Sequence, residues 1–268
     1  MDLANIKMVV TDMDGTLLNS NHEVSDRFFS LFDALHKRGI LFVAASGRQY
    51  HSMVEKLSTI KDKILFAAEN GALVIENEKQ LLSTPLEIGY LSKILNTLNT
   101  VRGAHPVLCS PNTAFAIGAS QEFLEHLKEY YTKFEVVQSL TDINQQILKI
   151  AVYHFENSER YLYPAMAFME TELKVKVSGT NWLDISAREA HKGFALEKIM
   201  KANNVAANEV LVFGDYNNDL EMLQLSNYSF AMANAHPHVK KVAKFETKSN
   251  DEQGVEHILE QLLYALDS

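Results

Sequence analysis

Short, nearly continuous apolar runs recur along the chain, each ending in small or polar residues and each followed by helical spacing. "IKMVVTD" (6–12), "ILFVAASGR" (40–48), "KILFAAENGA" (63–72) and "EVLVFGDYNND" (209–219) read as strands buried on both faces. Between the first two lies "SDRFFSLFDALHKRG", with Phe28, Leu31, Phe32 and Leu35 at helical spacing, Ser25 as N-cap and Gly39 just past the C-terminus. "KGFALEKIMKANN" (192–204) predicts a second helix, and "YSFAMANA" (228–235) another strand. Strands of this kind alternating with helices predict an α/β domain with a Rossmann-like parallel sheet, whose functional groups gather at the carboxyl ends of the strands. Asp12, Ser46 and Asp215 all fall at such ends.

The middle of the chain has a different texture. Its strand candidates, within 113–119, 148–155, 174–179 and 181–186, are less uniformly apolar. Two long helical candidates, 120–134 and 158–173, lie among them, and Pro164 either kinks the second or marks its true start. The pattern predicts an α+β domain over 84–186 inserted between two halves of the parallel-sheet domain, 1–83 and 187–268. Thr84-Pro85 and Arg188-Glu189-Ala190 are the expected crossings.

Composition narrows the function classes. Apolar residues make up 47% and charged residues 22%, an ordinary globular balance. With 25 basic against 34 acidic residues the formal charge is −9 and no basic run exists, which argues against a nucleic-acid partner. The single cysteine, Cys109, excludes an intramolecular disulfide and a cysteine-based zinc site, and reads as a small buried hydrophobe. "MDLANIKMVV" lacks the features of a signal peptide, and no window reaches the ~18 apolar residues of a membrane span. A cytoplasmic protein without a membrane partner is expected.

The sharpest chemical signal is "DMDGT", with Asp12 and Asp14 one residue apart. Alone, the pair is equally well explained as turn residues. Two carboxylates about 4 Å apart repel by ~4 kcal/mol at an effective dielectric of 20, so either one holds a proton or a cation offsets them. All-oxygen ligands suit Mg²⁺. Asp215 supplies a third carboxylate at another strand end and Asp219 follows four residues later, although an N-cap explains one of these acids by itself. Ser46, Gly47 and Arg48 form a turn whose small residues offer donors to an oxyanion, or simply a β-to-α turn. Lys192 stands at a helix N-terminus, where the dipole disfavours a cation, and on spacing alone it reads as solvated surface.

Taken in order, "DMDGT", "ASGR", "HKG" and "GDYNND" resemble the haloacid dehalogenase superfamily, and more narrowly its Cof-type, class IIB sugar phosphatases. "AENGA" (68–72), "AMANAHPHVKKVA" (231–243) and "SNDEQGVEHIL" (249–259) extend the resemblance nearly end to end. It implies a HAD-like core with an inserted α+β cap and a Mg²⁺-dependent phosphatase acting on a small phosphorylated metabolite through an aspartyl-phosphate. Asp12 becomes nucleophile and metal ligand. Asp14 becomes general acid and base with its main chain on the metal, and Asp215 the third ligand. Ser46, Gly47, Lys192 and Asn218 would hold phosphate, Asp219 would stand behind the metal, and Thr16 would position the loop. Arg48, Asn70, Trp182 and Asp184 become candidates for touching the leaving group, although Asp184 also reads as an edge-strand charge. Asp14 argues against a true dehalogenase. Tyr216 and Asn217 are bulkier than the small residues often found in this loop. His236 and His238 would lie in a surface turn rather than bind metal, and His191 would flank the site mouth or a solvated turn. A sugar phosphomutase or phosphotransferase on the same core, and a catalytically silent metabolite-binding protein, are the alternative readings. The oligomeric state is left open.

Overall fold

The computed structural model describes residues 3–117, 119–139 and 143–267. Gly118, inside the strand expected over 113–119, lies outside them, as do Met1 and Asp2. Two sheets organise the chain. The first contains β1 (Met8–Thr11), β2 (Leu41–Ala45), β3 (Leu65–Ala68), β4 (Leu73–Glu76) and β5 (Lys79–Ser83). The second contains β6 (His105–Cys109), β7 (Ala114–Ile117), β8 (Phe134–Val137), β9 (Lys149–Tyr153), β10 (Lys174–Val177) and β11 (Trp182–Ser186). The chain then rejoins the first sheet with β12 (Val210–Gly214), β13 (Tyr228–Ala231) and β14 (Phe245–Glu246).

The first sheet runs in the order β14-β13-β12-β1-β2-β3-β4-β5 and is parallel from β14 through β3. Its central register sets up the site. Thr11 pairs with Ala44 on one side and Phe213 on the other, so β1, β2 and β12 end level with one another. β4 and β5 continue the sheet as an antiparallel hairpin that the sequence pattern does not announce. Its turn uses Asn77 and Glu78, both at positive φ, in place of the more recognisable Asn-Gly.

The second sheet, β10-β11-β9-β6-β7-β8, is antiparallel except where β7 meets β8. Alternation along β9 sends Ile150 and Val152 to one apolar cluster and Ala151 and Tyr153 to another. β11 lies between β10 and β9, so Asp184 is not on an edge strand.

The helix Asp26–His36 forms as its spacing predicts. Ser25 accepts the Phe28 N–H as N-cap, and Phe28, Leu31, Phe32 and Leu35 are buried. The two long helices expected in the middle are shorter. The first spans Gln121–Leu127 only, and the chain then turns to carry Tyr130 and Tyr131 onto the wall of a cavity. The second is broken into Ser158–Tyr161, Tyr163–Met166 and a 3-10 turn at Ala167–Thr171. Pro164 sits in the first turn of the middle piece, where its missing N–H costs least. No described helix is long and apolar enough to cross a membrane.

Phe32 is fully buried and meets Phe42 of β2 edge-on at 4.9 Å. Phe32→Ala should destabilise the protein by about 3–5 kcal/mol in chemical denaturation.

Candidate active site

Because β1, β2 and β12 end level, the residues that follow them converge. Asp12 leaves β1 buried, and its Oδ1 accepts a hydrogen bond from Lys192 Nζ at 2.5 Å. The same ammonium donates to Asp219 Oδ1 at 2.7 Å. Lys192 is the first residue of the helix Lys192–Ala202, whose N-cap is His191, and only 1% of it is exposed. Asp219 turns its other oxygen to the main-chain N–H groups of Asp215 and Tyr216, at 2.9 and 3.0 Å. Thr16 donates to Asp215 Oδ1 at 3.2 Å. Gly15, at φ +76°, lies so close to Asp215 that a β-carbon there would collide with the carboxylate. Asp12, Asp215 and Asp219 each direct an oxygen into one cluster whose atoms all lie within 4.8 Å of one another.

Two buried carboxylates, Asp12 and Asp219, thus share one ammonium, and the partly buried Asp215 stands beside them. Burial raises the Asp12 carboxyl to about 7; Lys192 opposes the rise, while Asp219 and Asp14 add to it. Asp215 is also raised well above the carboxylate range, first by burial and then by Asp12 and Asp219. Burial works against the Lys192 charge, but Asp12 and Asp219 overcome it and hold its pKa above the ordinary lysine value. A site with this excess of hard oxygen donors and this deficit of positive charge fits a divalent cation.

Asp14 points elsewhere. Its carboxylate is partly exposed and clasped by Arg48, Nε to Oδ2 at 2.7 Å and Nη2 to Oδ1 at 2.6 Å, with His22 beside it at 3.5 Å. Burial would raise this carboxyl, but hydrogen bonds from His22 and Arg48 hold it well below its usual range. Asp12 therefore keeps its proton more readily than Asp14 does here. That is the reverse of an ionised nucleophile beside a protonated acid. The causes are burial on Asp12 and the His22 and Arg48 contacts on Asp14, and a dication on the triad would pull Asp12 back down.

Ser46 and Gly47 follow β2 and are buttressed by the turn Glu69–Gly71. The Asn70 N–H bonds Ser46 O at 2.9 Å and the Glu69 N–H bonds Arg48 O at 3.0 Å. This turn holds three successive residues at positive φ: Glu69 +51°, Asn70 +56° and Gly71 +85°. A β-carbon on Gly71 would lie 2.7 Å from the His191 carbonyl, one residue before Lys192. The turn also meets the second sheet. Asn70 donates to Asp184 through its side chain and accepts from Asn218 at 3.0 Å. Lys149 of β9 is buried among Gly47 O at 2.6 Å, Glu69 at 3.1 Å and Asp184 at 3.4 Å.

A cavity of about 300 Å³ opens between the sheets, with Asp12, Asp14 and Arg48 on one wall and Tyr130, Asn181 and Trp182 on the other. Asp12, Asp14, Ser46, Gly47, Arg48, Trp182, Asp184, Asp215 and Asn218 all border it, whereas Asn70 and Lys192 lie just behind. Tyr216 fits its loop by packing against His236, which caps the helix Pro237–Val242 by accepting the His238 N–H. Cys109 is buried with its thiol 3.3 Å from the Tyr131 hydroxyl.

Comparison with known proteins places this arrangement. The family model of the haloacid dehalogenase-like hydrolases matches residues 9–259. The chain belongs to that family. The Streptococcus mutans UA159 protein SMU.1108c, known from a crystal structure, is 31% identical and superposes with a TM-score of 0.90, over 97% of this chain and 99% of that one. The 5-amino-6-(5-phospho-D-ribitylamino)uracil phosphatase YbjI of Escherichia coli K12 is 28% identical over 97% of each chain. The HAD subclass IIB sugar phosphatase BT4131 shares the fold, with a TM-score of 0.84 at 18% identity over 95% of this chain and 98% of that one.

Within this hydrolase, several polar groups at or near the site escape a reading of sequence motifs. Lys149 lies near the start of the mixed strand candidate within 148–155 and belongs to no motif, and Glu69 lies in a motif where only Asn70 draws notice. His22 lies in a turn with no chemical context. Asp219, expected behind the metal site, has its carboxylate in one cluster with those of Asp12 and Asp215 while its oxygens also bond Lys192 and two main-chain N–H groups.

The raised Asp12 and Asp215 carboxyls have a consequence for stability. In the unfolded chain they ionise near pH 4, whereas in the folded protein Asp12 keeps a proton to about pH 7. Between these values the native state binds more protons, so the triad's contribution to stability falls as pH rises. A hard divalent cation should therefore raise the melting temperature more at pH 7.5 than at pH 5. Thermal melts with and without the ion will show this, and equal shifts at both pH values would contradict it.

Proposed function

We propose that this hydrolase is a Mg²⁺-dependent phosphatase of small phosphorylated metabolites, most of all sugar phosphates, working through an aspartyl-phosphate on Asp12. The observation that carries the reading is the convergence of Asp12, Asp215 and Asp219 on one point beside Lys192 at the ends of β1 and β12. The phosphatase activity named for YbjI, a relative along almost the full length, supports it.

Asp12, Asp215 and Asp219 would hold the metal, with the Asp14 main chain as a further donor. A Mg²⁺ ion held by these residues would supply the missing positive charge and Lewis acidity toward the phosphoryl oxygens. Asp12 then attacks as a carboxylate, and Lys192 and Ser46 hold the transferring group, with Asn218 at its side. Asp14 protonates the leaving oxygen and later takes a proton from water. For this its carboxylate must leave the Arg48 clasp, and Arg48 is then free to meet the substrate. We assign residues 84–186 as a cap inserted between core segments 1–83 and 187–268, with Trp182 facing the leaving group. Asp184 already engages Lys149 and Asn70, so it shapes the cap–core seam.

A phosphate-release screen over sugar phosphates, nucleotides and cofactor phosphates tests the activity. Conversion of a hexose 6-phosphate to its 1-phosphate without phosphate release would instead establish a mutase. Asp12→Asn should lower turnover at least 10³-fold with the melting transition retained, and EDTA should stop the wild-type reaction. Substantial activity in either case would show that the nucleophile or the metal is misassigned.

A further inference from the structure

The loop Ser46–Gln49 is gripped from both sheets. The Ser46 carbonyl accepts from Asn70, the Gly47 carbonyl accepts from Lys149, and Arg48 clasps Asp14. Gln49, fully buried, exchanges two hydrogen bonds with the main chain of Lys133, at 2.9 and 3.2 Å.

Lys149 is the unexpected member. It is only 1% exposed, and it belongs to β9, whose next inward-facing neighbours on the same side are Ala151 and Tyr153. Withdrawing an ammonium from water costs several kcal/mol, and an apolar residue would serve the second sheet at least as well. Two of its three partners, Gly47 and Glu69, lie across the seam on loops of the first sheet. The third, Asp184, is bonded to Asn70, which returns to Ser46. The contacts thus close a ring through Gly47, Lys149, Asp184, Asn70 and Ser46. The hydrogen bond of Lys149 goes to Gly47 O, and Glu69 and Asp184 stand beside it as ion pairs, so the ammonium is held by the seam although it borders the cavity.

We infer that Lys149 is a positioning residue for the phosphate loop. Through the Gly47 carbonyl it fixes where the Ser46 hydroxyl and the adjoining amides point, so the loop is aligned only while the second sheet is seated. The kinetic part of this inference rests on the phosphatase reading; the structural part does not. A misplaced phosphoryl group loses its near-attack geometry, which lowers kcat more than it weakens binding.

The test compares wild type with Lys149→Met and with the charge-balanced double variant Lys149→Met/Glu69→Gln, which guards against failure of the single variant to fold. Hydrogen exchange should quicken at least tenfold at amides 47–50 and stay unchanged in β1 and β12. With p-nitrophenyl phosphate, kcat should fall tenfold or more, KM should move less than threefold, and half-saturation by Mg²⁺ should not shift, because the triad is untouched. Unchanged exchange in the loop, or full kcat in a folded variant with a lowered melting temperature, would overturn the inference and leave Lys149 a stabilising residue only. If the wild type turns over no phosphate ester, the phosphatase reading fails, and the exchange measurement still decides the positioning role.

Discussion

One ammonium buried among acids governs the site. Lys192 occupies the first turn of a helix, where the macrodipole repels positive charge, and is removed from water as well. It is stable there because Asp12 and Asp219 bracket its Nζ, and those acids are tolerable in turn because Lys192 is present. The imbalance that remains, three carboxylates to one ammonium, makes the pocket a receptor for positive charge before any substrate arrives. Other features follow from it. Gly15 must lack a side chain to admit Asp215, and two main-chain N–H groups must face Asp219.

A second charge cluster, Lys149 with Glu69 and Asp184, repeats the arrangement at the seam between the sheets. Here too burial disfavours the ammonium, and the neighbouring carboxylates more than restore it. The two clusters meet through Asn70, which touches Asp184 on one side and Asn218 on the other. The acidic cluster around Lys192 and the seam between the sheets are therefore joined by contacts through a single side chain.

The parallel sheet was legible because its strands are uninterrupted apolar runs, and Asp12, Ser46 and Asp215 because they stand where such runs stop. Membership of the hydrolase family was legible in the order of four short motifs. Lys192 became chemical only in that joint context, since its spacing alone suggests a solvated lysine. Lys149 was not legible, because its burial depends on Glu69, 80 positions earlier, and no local pattern encodes that meeting. The helix expected over 120–134 stops short for a similar reason: Tyr130 and Tyr131 are recruited to a cavity wall whose other side is built by distant segments. The lesser break at Pro164 was readable from the residue itself.

The turn Glu69–Gly71 shows what kind of signature a family motif can be. Three left-handed residues in a row are held there by contacts to Ser46, Arg48 and the approach to Lys192. No atom of Gly71 has any reactivity, yet the lysine helix is set against its backbone, and the loop that follows β2 hangs from the N–H groups of the two residues before it. A survey that ranked residues by reactive groups would discard the turn. One that ranked them by the backbone shapes they permit would retain it, and with it a means of recognising this architecture in chains whose acids have drifted.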